Sequence, residues 1–291
     1  MPQSSPPVLL LGATGALGTH LGQQLQQRGH AVRALLRNPN RDRQRLGFTP
    51  EEVFPGDLRQ PETLRAACQG IETVVSAAGA SLALALRPGS PTFDEVDAAG
   101  HRNLAEAAAE AGVQRVAYVS VLATEATRDL AYVRAHLDAE AALQAGPFET
   151  TIVAPTGYFG SFDIFLTLAR FGFAPAPGGG SAETNPIAEA DLAAFVLDAL
   201  DQSAGKQEVG GPEVITRRQI AQLALKARQR RGFVMAPPLA LLKLQGKLLT
   251  PLDRRLAQLL AFFAAVSGSE CLAPPTGSTT LAQYFQDRLG N

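Results

Sequence analysis

The stretch Val8-Leu9-Leu10-Leu11-Gly12-Ala13-Thr14-Gly15-Ala16-Leu17-Gly18 decides the fold. Its first four residues form a continuous apolar run, the pattern of a short strand buried on both faces. Glycines follow at once. Leu17, Leu21 and Leu25 then recur every four positions, as on one face of a helix. A strand, a glycine-rich turn and a helix in this order suit a pyrophosphate. Glycine allows the tight turn and close backbone approach, and the helix start offers unpaired N–H groups at the positive end of its dipole. The spacing is GxxGxxG, so Gly12, Thr14, Gly15, Ala16, Leu17 and Gly18 are the expected phosphate-binding residues.

Outward from this unit the same alternation continues. Gly29 ends the first helix, and strands are expected at Ala31–Leu36, Val53–Phe54, Thr73–Ala77, Val116–Val121 and Thr150–Val153. Helices are expected between them at Pro61–Cys68, Phe93–Ala111 and Leu130–Gln144. Short apolar strands separated by helices predict an α/β protein, a doubly wound parallel-sheet Rossmann fold. After Pro155 the regularity fails, with loops rich in glycine and proline. Helices at Leu192–Leu200 and Arg217–Arg230 follow, then a largely helical remainder to Gly268 broken at Pro251. The reading is a Rossmann core over 6–155 and a smaller, mostly helical carboxy-terminal lobe over 156–291, with about 185–211 returning to the core.

The end of the second strand discriminates between dinucleotides. An NAD-binding site typically carries an acid there for the ribose 2′-hydroxyl. Here the sequence runs Leu35-Leu36-Arg37-Asn38, with no acid before Asp42. Arg37 supplies a planar charged fork suited to a 2′-phosphate, so NADP(H) is expected over NAD(H). After the third strand, Asp57 of Gly56-Asp57-Leu58 is placed to accept from an adenine amino group or, alternatively, to cap a turn. Ala77, Ala78 and Gly79 are small enough for backbone to lie against a ribose.

Composition bounds the rest. Hydrophobic residues are 46% and charged residues 18% of 291, which excludes a disordered or fibrous chain. Lys and Arg number 26 against 27 Asp and Glu, a net charge of −1. That balance gives no bulk attraction to nucleic acid or an anionic membrane, so neither is an expected partner. Two distant cysteines, Cys68 and Cys271, suggest a reducing compartment. The short, uncharged Met1–Pro7 lacks the pattern of a signal peptide, and a cytoplasmic location is expected. The four histidines form no metal-ligand cluster, so no metal is expected. The expected partner is a small-molecule substrate, and the chain a monomer or homodimer.

Gly12–Gly18, Gly56-Asp57-Leu58 and Gly112-Val113-Gln114-Arg115-Val116 leading to Tyr118-Val119-Ser120 together resemble the atypical short-chain dehydrogenase/reductases, and within them the NmrA-like NAD(P)-binding group. The resemblance extends through Thr151-Ile152-Val153-Ala154-Pro155-Thr156-Gly157-Tyr158-Phe159, Asn185-Pro186-Ile187 and Asp191-Leu192-Ala193 to Gly210-Gly211-Pro212-Glu213. It implies NADP(H) binding, with Pro155 and Tyr158 near the cofactor, and hydride transfer to a small apolar acceptor such as a quinone, enone or aldehyde. It equally allows a redox sensor that binds NADP(H) without turnover. Some segments also resemble divinyl chlorophyllide vinyl-reductases.

Two departures from the pattern stand out. Ala154 precedes Pro155 where related chains carry arginine. The superfamily's Tyr-x-x-x-Lys pair reads Tyr132-Val133-Arg134-Ala135-His136. The two side chains still share a helix face, and Ser120 falls near the superfamily's carbonyl-polarising serine. The implied catalytic set is Tyr132, His136 and Ser120, with His136 also contacting the cofactor.

Overall fold

The computed structural model describes residues 6–80, 90–202, 204–229, 231–250 and 252–290. Strand β1 (Val8–Leu11) is buried along its whole length and lies inside the sheet, beside its central strand. On one side follow β2 (Val32–Leu36) and β3 (Glu52–Pro55). On the other follow β4 (Thr73–Ser76), β5 (Arg115–Val119) and β6 (Glu149–Pro155). Two short strands, β7 (Phe173–Pro175) and β8 (Glu183–Thr184), lie in the carboxy-terminal lobe. The chain then returns as β9 (Gly205–Val209) to complete the order β3-β2-β1-β4-β5-β6-β9, all parallel.

In chain order the helices are α1 (Ala16–Gln27), α2 (Pro39–Asp42), α3 (Pro61–Cys68), α4 (Ala99–Ala111), α5 (Ala131–Gln144) and α6 (Asp163–Ala169). They continue as α7 (Glu189–Gln202), α8 (Arg217–Ala227), α9 (Leu239–Leu249), α10 (Arg254–Gly268) and α11 (Leu281–Gly290). Successive side chains of a strand face opposite ways, and β1 divides accordingly. Val8 and Leu10 join Leu17, Leu21 and Leu25 of α1 and Leu192 and Val196 of α7 in one core layer. Leu9 and Leu11 join Leu64 of α3, Leu104 of α4 and Leu143 of α5 in the other. The fold is thus doubly wound, with the strand order reversing between β1 and β4. Such a switch point opens a crevice at the carboxyl ends of the strands.

A third apolar cluster, including Phe159, Phe162, Leu166, Ile220 and Phe285, forms the carboxy-terminal lobe. There β8 pairs antiparallel with β10 (Ile215–Thr216), and β7 pairs parallel with β11 (Phe233–Met235). The lobe differs from the sequence expectation. Phe233–Met235 is a strand where helix was expected, and α8 stops at Ala227 with Gln229 at φ 50. Arg230 and the expected break at Pro251 lie outside the described residues, as does Met1–Ser5. The expected helix Phe93–Ala111 also departs from simple α geometry: Asp94–Ala98 is wound as a π turn before α4 begins.

The turn after β1 is dictated by close backbone contact. Gly12 has φ +78, and a Cβ there would sit 2.5 Å from the Ala77 carbonyl oxygen of the neighbouring strand end. A Cβ on Gly18 would overlap the Gly12 carbonyl itself. By contrast, one on Gly15 meets only the Gly12 oxygen, at 3.3 Å. Gly18→Ala is therefore expected to cost about 3 kcal/mol of stability, whereas Gly15→Ala costs at most about 1 kcal/mol. Urea unfolding of the two variants checks this, and equal costs would contradict the packing argument.

Candidate cofactor and acceptor site

The glycine turn ends with Gly15 as the N-cap of α1, its N–H bonded to the Gly12 carbonyl at 2.9 Å. No side chain caps the helix and no acid lies in its first turn. Gly15 and Ala16 are exposed, Thr14 is half-buried, and Leu17 and Gly18 are buried beneath them. The free N–H groups of a helix start, presented by a turn without bulk, are a cradle for an anion. The residues present therefore fit a dinucleotide's pyrophosphate. Across the crevice, at the end of β4, Ala77 and Ala78 are half-buried and Gly79 is exposed.

At the ends of β2 and β3 two guanidinium groups gather. Arg37 is exposed and makes no ion pair among the described residues. It lies near enough to Asp57 to help lower that residue's pKa. Burial alone would raise the Asp57 pKa, but hydrogen bonds and charge from Arg59, with Arg37 adding, hold it below the usual value. The Asp57 carboxylate accepts from the Arg59 backbone N–H at 2.9 Å and pairs with its Nη2 at 2.7 Å. Asp57 thus caps a turn, the alternative that its sequence left open, and Arg59 stands beside Arg37 as a second cation. Leu58 is buried, and its Cβ would lie 3.0 Å from a Cβ on Gly100 of α4.

Behind Gly79 lies a buried polar cluster. The Asp97 carboxylate, on the π turn, is fully buried and accepts from the Ala80 N–H at 3.2 Å. His101 Nδ1 lies 2.8 Å from the Asp97 carbonyl and Nε2 lies 2.9 Å from Ser76 Oγ. A carbonyl only accepts, so Nδ1 carries the proton and Ser76 donates to Nε2. His136 Nδ1 is 2.5 Å from the Tyr118 hydroxyl. Among the described residues its Nε2 is buried without a hydrogen bond, and it lies 4.0 Å from Asp97 Oδ1.

Low polarity governs these groups. Burial raises the Asp97 pKa to about 7 against the partial help of Ala80. It lowers His136 to about 3, with His101 adding, and His101 to about 4. The histidines are therefore neutral near pH 7.

Tyr132 stands over this cluster at the start of α5. Its ring meets His136, Phe93 and Phe262 edge-on, with centroids 4.8, 5.2 and 5.3 Å apart. A cavity of about 290 Å³ opens beside it, walled by Phe93, Leu130, Ala131, Leu259 and Phe262 among others. Burial, followed by the charges of Tyr158 and Asp97, raises the Tyr132 pKa well above the usual phenol value. Tyr158 is half-buried and similarly raised, by burial first and then by Glu189 and Asp97.

The family model described as NAD(P)H-binding matches residues 12–203, from the glycine turn to the end of α7. The chain belongs to this NAD(P)H-binding family. It is 30% identical over 230 residues to "NADH dehydrogenase [ubiquinone] 1 alpha subcomplex subunit 9, mitochondrial" of Arabidopsis thaliana, covering 74% of this chain and 56% of that protein. It is 33% identical over 156 residues to "Photosystem II assembly factor Ycf39" of Guillardia theta, covering 52% of this chain and 46% of that one. The chain thus spans about half the length of these curated relatives. Among solved structures, an NADPH-dependent quinone oxidoreductase from Escherichia coli shares the fold with a TM-score of 0.74. The identity is 23%, over 98% of this chain and 100% of that one.

In this NAD(P)H-binding chain the expected residues fall into two groups. Gly12, Thr14, Gly15, Ala16, Leu17, Gly18, Ala77, Ala78 and Gly79 border the crevice directly. Tyr132, His136 and Tyr158 gather at its inner end, where Asp97, Tyr118 and His101 join them without a signal in the sequence. Ser120 stands apart: its hydroxyl donates to Glu140 Oε1 at 2.5 Å, and Lys206 Nζ holds the other Glu140 oxygen at 2.7 Å. Pro155 is buried, with its carbonyl accepting from the Leu122 N–H at 3.0 Å. Among the described residues no cluster of metal-ligating side chains exists, and no helix is long and apolar enough to cross a membrane.

The raised Asp97 pKa has a definite sign. Its neutral form is favoured in the folded chain, so its contribution to stability is full below about pH 4 and is lost as pH rises through about 7. The depressed histidines act oppositely, with a contribution present above about pH 6.5 and lost as pH falls toward 4 and 3. Asp97→Asn keeps the oxygen that accepts from Ala80 but never ionises. Its melting temperature is expected to exceed that of the parent at about pH 9, with the gain shrinking toward about pH 5. Thermal melts across this range check it, and a pH-independent difference would refute the assignment.

Proposed function

We propose that this chain is an NADPH-dependent oxidoreductase that passes a hydride to a small apolar acceptor, with quinones and enones fitting best. The observation carrying this reading is the cavity of about 290 Å³ that adjoins Tyr132 between the start of α5 and α10. Its walls are mostly apolar and its volume suits a single ring system. The bound nicotinamide supplies the hydride. In this reading the free backbone N–H groups at the start of α1 hold the pyrophosphate, and Arg37, with Arg59 on the neighbouring Asp57, takes the 2′-phosphate. Ala77, Ala78 and Gly79 let the ribose approach, while Leu58, Pro155 and Tyr158 border the cofactor.

The acid chemistry fits an undemanding acceptor. Tyr132 stays protonated near pH 7 and has no lysine to strengthen it as an acid. His136 is neutral and hydrogen-bonded to Tyr118, so it orients the floor of the site rather than charging it. Quinones and activated double bonds take their proton readily, and a weak phenolic donor suffices for them. Ser120, just after β5, is committed to Glu140, which Lys206 holds in turn, and so contributes by position.

A second reading, a protein that binds NADP(H) and reports its state to a partner without turnover, draws on two observations. Tyr132 is made less acidic by its surroundings, and the two curated relatives are named as a complex subunit and an assembly factor. Kinetics separate the two readings. Turnover of NADPH with a soluble quinone is expected for the parent chain, and Tyr132→Phe is expected to lower kcat by about a hundredfold while NADPH binding is retained. NADPH binding with no turnover across quinones, enones and aldehydes would favour the sensor. Unchanged kcat in the variant would remove Tyr132 from the chemistry. For the cofactor, Arg37→Glu is expected to weaken NADPH by roughly tenfold or more and leave NADH nearly unchanged. Fluorescence titration of the nicotinamide checks this.

A further inference from the structure

Helices α9 and α10 form a hairpin in which Gly246 of α9 packs against Ala257 and Leu260 of α10. The opposite side of α9 is open. Leu241, Leu244 and Leu248 are 45%, 53% and 65% exposed, and Leu252, at the turn between the helices, is 82% exposed. At 3.6 residues per turn the first three lie within about 60° of one another, turned away from Gly246. Lys243 and Lys247, both exposed, occupy the adjoining flank. Over 239–255 the sequence carries Lys243, Lys247, Arg254 and Arg255 against the single acid Asp253. The chain's net charge of −1 averages over this segregation.

The combination narrows what can cover the face. A contiguous stripe of exposed leucine marks an interaction surface. A second copy seated symmetrically on the stripe would bring like charges together, lysine flank beside lysine flank, with no acids on the helix to offset them. An anionic bilayer answers both features at once. The leucines enter the boundary between headgroups and acyl chains, and the lysines meet lipid phosphates.

We propose that the α9–α10 hairpin docks this protein on an anionic membrane surface. The other wall of the hairpin gives the contact a use: Gln258, Leu259, Ala261 and Phe262 of α10 line the cavity beside Tyr132. An apolar acceptor dissolved in the bilayer would then reach the cavity along the same hairpin. This second step alone rests on the oxidoreductase reading.

The test is flotation of the full chain with vesicles, in the absence of any acceptor. The parent chain is expected to float with equimolar phosphatidylglycerol and phosphatidylcholine, to be released by salt, and to float weakly with phosphatidylcholine alone. The double variants Leu244→Glu/Leu248→Glu and Lys243→Glu/Lys247→Glu are each expected to lower partitioning by about tenfold or more. Both changes are at exposed positions, and retained NADPH binding reports that the variants are folded. No flotation of the parent, equal flotation with both vesicle types, or flotation untouched by the leucine changes would each overturn the proposal. So would a parent dimer that the leucine variant dissociates without any vesicle binding. Absence of NADPH turnover leaves every one of these readouts as it was.

Discussion

Gly12 is crowded from two directions, and much of the molecule follows from that crowding. From one side Gly18 of α1 comes so close that a methyl group would collide with it. From the other side the turn itself lies against Ala77 at the end of β4. The first contact presses the start of α1 onto the end of β1, leaving the helix's free N–H groups at the rim of the sheet. The second joins the two central strands where the order reverses, so the crevice and the anion cradle share one wall. A Cβ at Gly18 would push α1 away from the end of β1, and one at Gly12 would push the turn away from Ala77 and Ala78.

Deeper in the crevice the constraint is electrical. Asp97, His101, His136 and Tyr118 are buried together, and the surrounding low polarity favours the neutral form of each. His101 is fully satisfied between the Asp97 carbonyl and Ser76, so it serves as a brace. Among the described residues His136 is satisfied on one nitrogen only, and its other nitrogen stops 4.0 Å from the Asp97 carboxylate. An orphaned buried polar atom is costly. The ring lies beside Gly79, where an added Cβ would sit 3.8 Å from His136 Cε1.

How much of this was legible depended on whether the signal was local. The β1 run, the glycine turn and the Leu17, Leu21 and Leu25 stripe show fold and cofactor class directly, because each is set by contacts within a few residues. The seventh strand was hidden: β9 reads Gly-Lys-Gln-Glu-Val, an edge strand whose only buried residue is Val209, and it lacks the apolar continuity of the inner strands. Asp97 was hidden for another reason. Its burial is created by a π turn, by Gly79 and by the end of β4, none of which marks an acid in Glu95-Val96-Asp97-Ala98 as special. Ser120 and Glu140 show the converse, since a position at the end of a strand says nothing about which neighbour a hydroxyl will serve.

The cavity beside Tyr132 has walls drawn from two differently packed parts of the fold. Leu130, Ala131 and Tyr132 belong to the start of α5, which is packed against the central sheet through Ala139 and Leu143. Leu259 and Phe262 belong to a hairpin whose outer face has almost no protein packed on it. On the proposed oxidoreductase reading, Tyr132 is held by the α5 side, and Phe262 of α10 packs edge-on against it at 5.3 Å, so the two walls meet at that ring. The α9–α10 hairpin thus carries both the open leucine face and one wall of the cavity, on opposite sides of two packed helices.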